Sequence, residues 1–117
     1  MGSLLRQYHE LPPGLLDAEP RQLAEVLGGP ALIHLPGRRQ QPLFVSALLH
    51  GNETTGVLAI QELLRQFRGR ELPRALSLFI GNVEAARDGV RRLAGQPDYN
   101  RVWPGTEHAD SPERRLM

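Results

Sequence analysis

Apolar positions along the chain fall into continuous runs that predict strands. Residues 31–35 form a short apolar run, and residues 43–49 form a longer, nearly continuous one. A run of this kind is typical of a strand buried on both faces of a sheet. Residues 75–80 repeat the pattern, so three strands are predicted, with a polar turn at 37–40 between the first two.

Two other segments have apolar residues at helical spacing. From about 55 to 67, apolar side chains recur every three or four residues until Gly69. A shorter stripe over 20–27 starts at a proline suited to a first helical turn. Strand, helix and strand over 43–80 predict one right-handed βαβ unit. The predicted fold class is α/β, with a mostly parallel or mixed sheet and flanking helices.

The other segments are irregular or polar. Residues 1–30 are predicted to form a lead-in that is irregular over 1–14 and then contains the short helix. Residues 31–81 are predicted to form the core of strand, helix and strand. Residues 82–110 are predicted to be a long loop of the kind that is usually functional or disordered. A helix is predicted to start in 111–117 because Ser and Pro favour its first positions. The sequence stops soon afterwards, about two helical turns in at most, so we expect residues 1–117 to be a piece of a longer chain.

Composition argues against several classes of protein. Lys and Arg number 14 against 13 Asp and Glu, a net charge of +1, so no global field favours nucleic acid or a membrane surface. No stretch approaches the ~20 apolar residues of a membrane span. The N-terminus lacks the apolar run of a signal peptide, so a cytoplasmic location is expected. Cysteine is absent, so any metal site must use His, Asp or Glu.

His50 and Glu53 are the first candidates for chemistry. His50 follows the strand at 43–49, and Glu53 comes three residues later at the predicted helix entrance. Ligands of open α/β sheets bind at the carboxyl ends of strands. A sharp turn between the two residues can bring an imidazole nitrogen and a carboxylate oxygen onto one zinc ion. The spacing alone is equally compatible with a hydrogen-bonded histidine and a glutamate that favours a helix N-terminus.

A second set of polar residues follows the strand at 75–80. Asn82 ends this strand, Arg91 comes nine residues later, and Asp98, Asn100 and Arg101 form a D-x-N-R motif. Together with the segment HGNETTG at 50–56, in this order, they closely resemble the succinylglutamate desuccinylase/aspartoacylase family, part of the wider zinc-carboxypeptidase superfamily. The resemblance extends from about residue 31 to the end of the chain.

The resemblance implies a zinc-dependent hydrolase, with residues 1–117 as the N-terminal part of its single catalytic domain. His50 and Glu53 match the first two Zn²⁺ ligands, and Arg91 matches the catalytic arginine that polarises the scissile carbonyl or grips the substrate. Metal-activated water would cleave an amide bond of an N-acyl amino acid or a C-terminal amide, with deacylase and peptidase both open. Guanidinium groups suit planar carboxylates. The residues that the resemblance assigns to substrate binding are Asn82, Arg91, Asn100 and Arg101.

The chain also departs from the family pattern. Val83 stands where the family has proline, and Tyr99 stands where leucine or methionine is usual. The spacing from Arg91 to Asp98 is slightly longer than in some relatives, so Arg92 is an alternative for the operative arginine. In the family, a third zinc ligand and a catalytic glutamate lie well after the D-x-N-R motif, and neither is found in this chain. The isolated chain is therefore expected to be inactive.

Three other histidines are weaker candidates for the third ligand. His34 lies on the strand at 31–35 and is more typical of a satisfied core or edge histidine. His9 lies in the lead-in. His108 is the only sterically plausible substitute, and the acidic residues beside it are more typical of a solvated patch.

Other interpretations stay open at this stage. Arg91 alone is typical of a solvated loop arginine, and Arg101 could instead form an ion pair with Asp98. The competing function is a non-catalytic domain with an incomplete metal site, acting as a weak metal binder or an interaction module. A small acylated amino acid or peptide-like molecule is the expected partner. An incomplete sheet exposes a strand edge, so self-association of this chain is also expected.

Overall fold

The computed structural model describes residues 5–105 and 110–117. Within them it contains four strands, four α-helices and three short 3₁₀ turns. The strands are β1 (Arg6–Tyr8), β2 (Ala31–Leu35), β3 (Gly37–Ala47) and β4 (Leu72–Ile80). The helices are α1 (Leu23–Leu27), α2 (Thr55–Gln66), α3 (Val83–Asp88) and α4 (Pro112–Leu116). The 3₁₀ turns are Leu15–Asp17, Pro20–Gln22 and Tyr99–Arg101. No helix of the described ranges is long and apolar enough to cross a membrane.

The strands form one mixed sheet in the order β1-β2-β4-β3. β1 pairs with β2 in parallel, β2 with β4 in antiparallel, and β3 with β4 in parallel. The predicted α/β class with a mixed sheet and flanking helices is confirmed. β3 and β4 are adjacent and joined through α2, as expected of a βαβ unit. Their carboxyl ends therefore lie side by side at the same end of the sheet.

The core lies around the inner strands and the helices α1 and α2. Leu23, Leu27, Ile33 and Leu78 are fully buried within it. The buried Gln61 of α2 fastens the N-terminal segment, because its Nε2 donates to the carbonyls of residues 15 and 18 at 2.9 and 2.8 Å. The helix predicted from the apolar spacing over 55–67 is α2, and its Val57 and Leu64 are buried in this core.

Two predictions about β3 were wrong. Residues 37–40, predicted as a polar turn, belong to β3 and pair with the start of β4. The apolar run at 43–49 is not buried on both faces, since Leu43 is 50% and Phe44 54% exposed. The reason is that β3 is the edge strand of the described sheet, so nothing in that part of the chain covers its middle.

Two segments predicted as irregular contain regular structure. The loop predicted at 82–110 begins with α3, because the Asn82 side chain accepts a hydrogen bond from the Ala85 N–H and caps the helix. The lead-in at 1–14 contains β1, which pairs with β2.

The helix predicted at 20–27 is a 3₁₀ turn followed by α1. α4 starts as predicted, with the Ser111 hydroxyl accepting from the Arg114 N–H at 3.0 Å.

Candidate functional site

His50 lies in a tight turn directly beyond the carboxyl end of β3. It is only 6% exposed. Leu48, two residues earlier, has a φ of 60°, a left-handed conformation that costs a leucine free energy. The Asn82 backbone N–H donates to the Leu48 carbonyl at 2.7 Å and holds it there. The Glu53 N–H donates to the His50 carbonyl at 3.1 Å and closes the turn toward α2.

Gly51 packs this turn against α3. A Cβ atom at Gly51 would lie 2.4 Å from backbone atoms of Ala85 and Ala86, so no larger residue fits without a backbone shift. The Gly51 N–H donates to the Arg91 carbonyl at 2.9 Å. Glycine here permits a close backbone approach that ties the histidine turn to the segment carrying Arg91.

Both ring nitrogens of His50 contact carboxylates. Nδ1 contacts Glu53 Oε1, while Nε2 lies 2.8 Å from Oδ1 and 2.9 Å from Oδ2 of Asp98. With the proton on Nε2 donated to Asp98, the Nδ1 lone pair faces the Glu53 carboxylate, and a cation or shared proton is needed between them. The turn therefore directs two possible metal-ligand atoms, His50 Nδ1 and Glu53 Oε1, toward one point. Asp98 of the 91–98 segment fixes the ring from its other nitrogen.

Asp98 is a site residue that the sequence analysis treated only as part of a motif. Burial alone would raise the pKa of its carboxyl, but hydrogen bonds from His50, the Asn100 backbone N–H and Arg91 hold that pKa below its usual range. The carboxylate is therefore well suited to fix the His50 ring. The only signal in the sequence was an acid in the D-x-N-R motif, 48 residues away from His50.

Arg91 reaches the same cluster from the opposite side. Its Nη2 lies 3.3 Å from Asp98 Oδ2, and its Nη1 lies 3.9 Å from Glu53 Oε1. The side chain is 53% exposed, so solvent reaches it. The neighbouring Arg92 donates instead to the Gln96 carbonyl at 3.0 Å. Of the two candidate arginines, the structure brings Arg91 to Asp98 and Glu53.

Asn82 has a structural role that engages both the oxygen and the nitrogen of its side-chain amide. Its side chain caps α3 through Oδ1, and its Nδ2 donates to Gln96 Oε1 at 2.7 Å. The residue is 1% exposed. The amide is thus already engaged within the protein, and substrate binding by Asn82 stays a prediction that no contact supports.

Asn100 and Arg101 lie on the exposed 3₁₀ turn after Asp98. The Asn100 side chain accepts from the Trp103 indole N–H at 2.9 Å, and Arg101 contacts the Asn100 carbonyl at 3.4 Å. Within the described ranges, neither side chain is hydrogen-bonded to His50. The ion pairs of Asp98 in this part of the chain join it to His50 and Arg91, so the alternative pairing with Arg101 is not observed.

The sequence is similar to those of known proteins. The sequence model described as the succinylglutamate desuccinylase/aspartoacylase catalytic domain matches residues 39–116. This match spans the histidine turn, α2, β4 and the D-x-N-R segment.

The chain belongs to this family.

Individual relatives agree with the family match. A succinylglutamate desuccinylase of Burkholderia orbicola (strain MC0-3) is 40% identical over 75 residues, covering 62% of the chain and 21% of the relative. A succinylglutamate desuccinylase of Yersinia pestis (strain Pestoides F) is 31% identical over 120 aligned positions, covering 91% of the chain and 36% of the relative. The chain thus spans only about a fifth to just over a third of the length of these relatives. No solved structure matches it.

The residues at the site fit two positions of a zinc centre. His50 Nδ1 and Glu53 Oε1 are borderline and hard donors that face each other, as two ligands of one Zn²⁺ ion would. Asp98 on the opposite ring nitrogen completes the carboxylate–histidine arrangement that fixes the orientation of a metal-binding histidine. Residues 5–105 and 110–117 contain no group of three or more His, Asp or Glu residues placed to hold a metal.

The other histidines do not supply a third ligand in the described ranges. His34 Nδ1 is 3.1 Å from the Ser77 hydroxyl, and its ring stacks on His9 with centroids 5.2 Å apart. The interpretation of His34 as a satisfied sheet histidine is thereby supported. His108 and its acidic neighbour Glu107 lie outside the described residues.

Proposed function

We propose that the full-length protein is a zinc-dependent hydrolase that cleaves an amide bond of an N-acyl amino acid. The observation that carries this proposal is the buried His50, held by Asp98 at Nε2 and presenting Nδ1 toward Glu53. With its proton on Nε2, a histidine oriented in this way turns the Nδ1 lone pair toward the Glu53 carboxylate, so both groups can act as ligands of one metal ion. Family membership supports the same chemistry.

His50 and Glu53 would hold the metal. Zinc, when bound, supplies an activated water and a Lewis acid for the acyl oxygen. Asp98 keeps the proton of the imidazole on Nε2 and so keeps Nδ1 available. The third ligand and the general base are expected outside this chain, as the resemblance implies, and residues 1–117 would form the N-terminal part of the catalytic domain.

Arg91 would contact the substrate. Its half-exposed guanidinium lies between Glu53 and Asp98, where it can stabilise charge on the carbonyl oxygen or bind a substrate carboxylate. Asn100 and Arg101 lie on an exposed turn nearby in sequence and remain the proposed carboxylate ligands. The relatives named above are succinylglutamate desuccinylases, so an N-succinyl amino acid is the proposed substrate class. Water would add across its amide to give a dicarboxylate and a free amine.

The test uses the full-length protein that contains this chain. Zinc content by elemental analysis and release of free amine from N-succinylglutamate are compared for wild type, His50→Ala and His9→Ala. His50→Ala is expected to lose zinc and turnover together, because it removes a ligand. His9→Ala is the matched control, since that histidine lies on the far side of β2 against His34. Normal activity in His50→Ala contradicts the proposal.

The second candidate is a non-catalytic domain with an incomplete metal site, acting as a weak metal binder or an interaction module. It is favoured by one observation, the two-donor cluster without a third donor in the described residues. Zinc titration of the 117-residue chain tests whether its site is incomplete, and turnover of N-succinylglutamate by the full-length protein separates the two candidates. Sub-micromolar binding by the chain alone would indicate a complete site, assembled between two copies for example, whereas weak binding fits part of an enzyme. For the enzyme we propose a cytoplasmic location and a small-molecule partner.

A further inference from the structure

The segment from Arg91 to Asp98 carries both side chains that reach the His50 turn from outside β3. Its first residue is fixed by the Gly51 N–H, which donates to the Arg91 carbonyl at 2.9 Å. Its last residue contacts His50. The six residues between them form no helix or strand. Something must therefore set the path of the chain between these two points.

Gln96 makes four hydrogen bonds, three within this segment and one to Asn82 at the end of β4. Its side-chain Oε1 accepts from the Asn82 amide at 2.7 Å and from the Leu93 N–H at 3.1 Å. Its backbone N–H donates to the Leu93 carbonyl at 3.1 Å. Its carbonyl accepts from the Arg92 guanidinium at 3.0 Å. The residue thus closes a turn over 93–96 and joins it to the end of β4.

The anchor of this turn is Asn82, and it has little freedom to move. It is 1% exposed, and the other end of its amide caps α3. Rotating the amide away from Gln96 would leave a buried N–H donor without a partner or would break the cap, and either change costs free energy. The side chain of Gln96 is therefore held against a rigid element rather than against another loop.

We propose that Gln96 is a positioning residue that places Arg91, rather than Arg92, beside Asp98 and Glu53. The turn sets the path of the chain between Arg91 and Asp98, and the Gln96 carbonyl holds the Arg92 guanidinium away from Asp98 and Glu53. Arg91 Nη2 then lies 3.3 Å from Asp98 Oδ2 while Asp98 stays on His50 Nε2. The effect of Gln96 on turnover rests on the proposed function, but its effect on this geometry does not.

The test uses NMR on the metal-free 117-residue chain. Three variants are compared with wild type: Gln96→Leu removes the side-chain acceptor, Gln96→Glu retains it, and Gln40→Leu is the same change at an exposed position of β3. The readouts are hydrogen exchange of the Gly51 amide, the ring ¹⁵N signals of His50, and nuclear Overhauser contacts between the side chains of Arg91 and Asp98.

Gln96→Leu is expected to speed Gly51 exchange about tenfold, because losing hydrogen bonds of this kind allows local opening. It should also shift the His50 Nε2 signal and abolish the Arg91–Asp98 contacts, while exchange of the Leu78 amide in the core stays unchanged. Gln96→Glu should restore all three readouts, and Gln40→Leu should match wild type. If Gln96→Leu does not fold, Gln96→Ala is judged by the same readouts.

Wild-type values of all three readouts in a folded Gln96→Leu or Gln96→Ala chain would overturn the proposal. Failure of Gln96→Glu to restore the readouts would overturn the acceptor role as well. Because no zinc and no substrate are used, this result is independent of whether the full-length protein hydrolyses N-succinylglutamate. A positive result here with an inactive wild-type protein would reject the proposed function and keep the positioning role.

Discussion

The middle of β3 and its carboxyl end belong to one apolar stretch but have opposite environments. Beyond its carboxyl end, Leu48, His50 and Gly51 are buried and hydrogen-bonded to the end of β4 and to the Arg91 segment. In its middle, Leu43 and Phe44 are half exposed on the edge of the described sheet. The difference shows that apolar sequence predicts a strand, whereas the neighbours of the strand decide its burial.

The buried end also carries the strain. Leu48 takes a left-handed conformation at φ 60°, and backbone strain of this kind is typically found at functional sites, where the surrounding structure maintains it. Here the Asn82 N–H and the close packing of Gly51 on α3 supply that support. The exposed middle of β3 is less tightly held, and its pairing with β4 shifts register between Arg39 and Leu43.

At the buried end of β3, Gly51→Ala should have the largest effect on the free energy of unfolding. Its Cβ would lie 2.4 Å from the backbone of Ala85, so the turn must separate from α3, and we expect a loss of about 3 kcal/mol in the free energy of unfolding. Urea denaturation measures it. Gly56→Ala is the matched control, because its Cβ would meet its nearest neighbour at an ordinary 3.9 Å. That change should stabilise α2 by up to about 1 kcal/mol. Equal stabilities of the two variants would contradict the packing role of Gly51.

The exposed middle of β3 should promote self-association of the chain. An uncovered edge strand with apolar side chains pairs readily with another copy, and association is expected at tens of micromolar, the range of weak protein interfaces (~10⁻⁵ M). Phe44→Lys should weaken it about tenfold, a difference of about 1.4 kcal/mol, because a lysine at an edge strand opposes pairing. Light scattering over a concentration series measures the effect. A strictly monomeric wild-type chain would refute this prediction.

Leu43→Ala, in the exposed middle of β3, should have the smallest effect on the free energy of unfolding. Leu43 is 50% exposed, and its register partner on β4 is Leu76, which is 8% exposed. At concentrations low enough to keep the chain monomeric, Leu43→Ala should change the free energy of unfolding by about 0.5 kcal/mol or less. Leu76→Ala, the matched change on the inner strand, should cost about 2–5 kcal/mol. Similar losses for both leucines would mean that β3 is covered in solution.

Much of the secondary structure was predictable because it depends on local patterns. The helical spacing over 55–67 and the apolar runs at 31–35 and 75–80 correspond to α2, β2 and β4. The errors occurred where long-range pairing overrides composition. Residues 37–40 are polar and look like a turn, but they pair with the start of β4, 35 positions away for Gly37 and Leu72. β1 is likewise a strand only because β2 lies beside it.

The residues of the site also divide into those that local sequence predicts and those that only long-range contacts bring together. His50 and Glu53 are three residues apart, and one tight turn is enough to join them, so the sequence by itself determined this pair and the family it belongs to. Only the tertiary structure brought Asp98 to the other ring nitrogen of His50 and selected Arg91 over Arg92. The physical reason is separation along the chain. A local turn depends on the conformations of a few residues, whereas a contact across 48 positions exists only when the sheet, α3 and the Gln96 turn fold together.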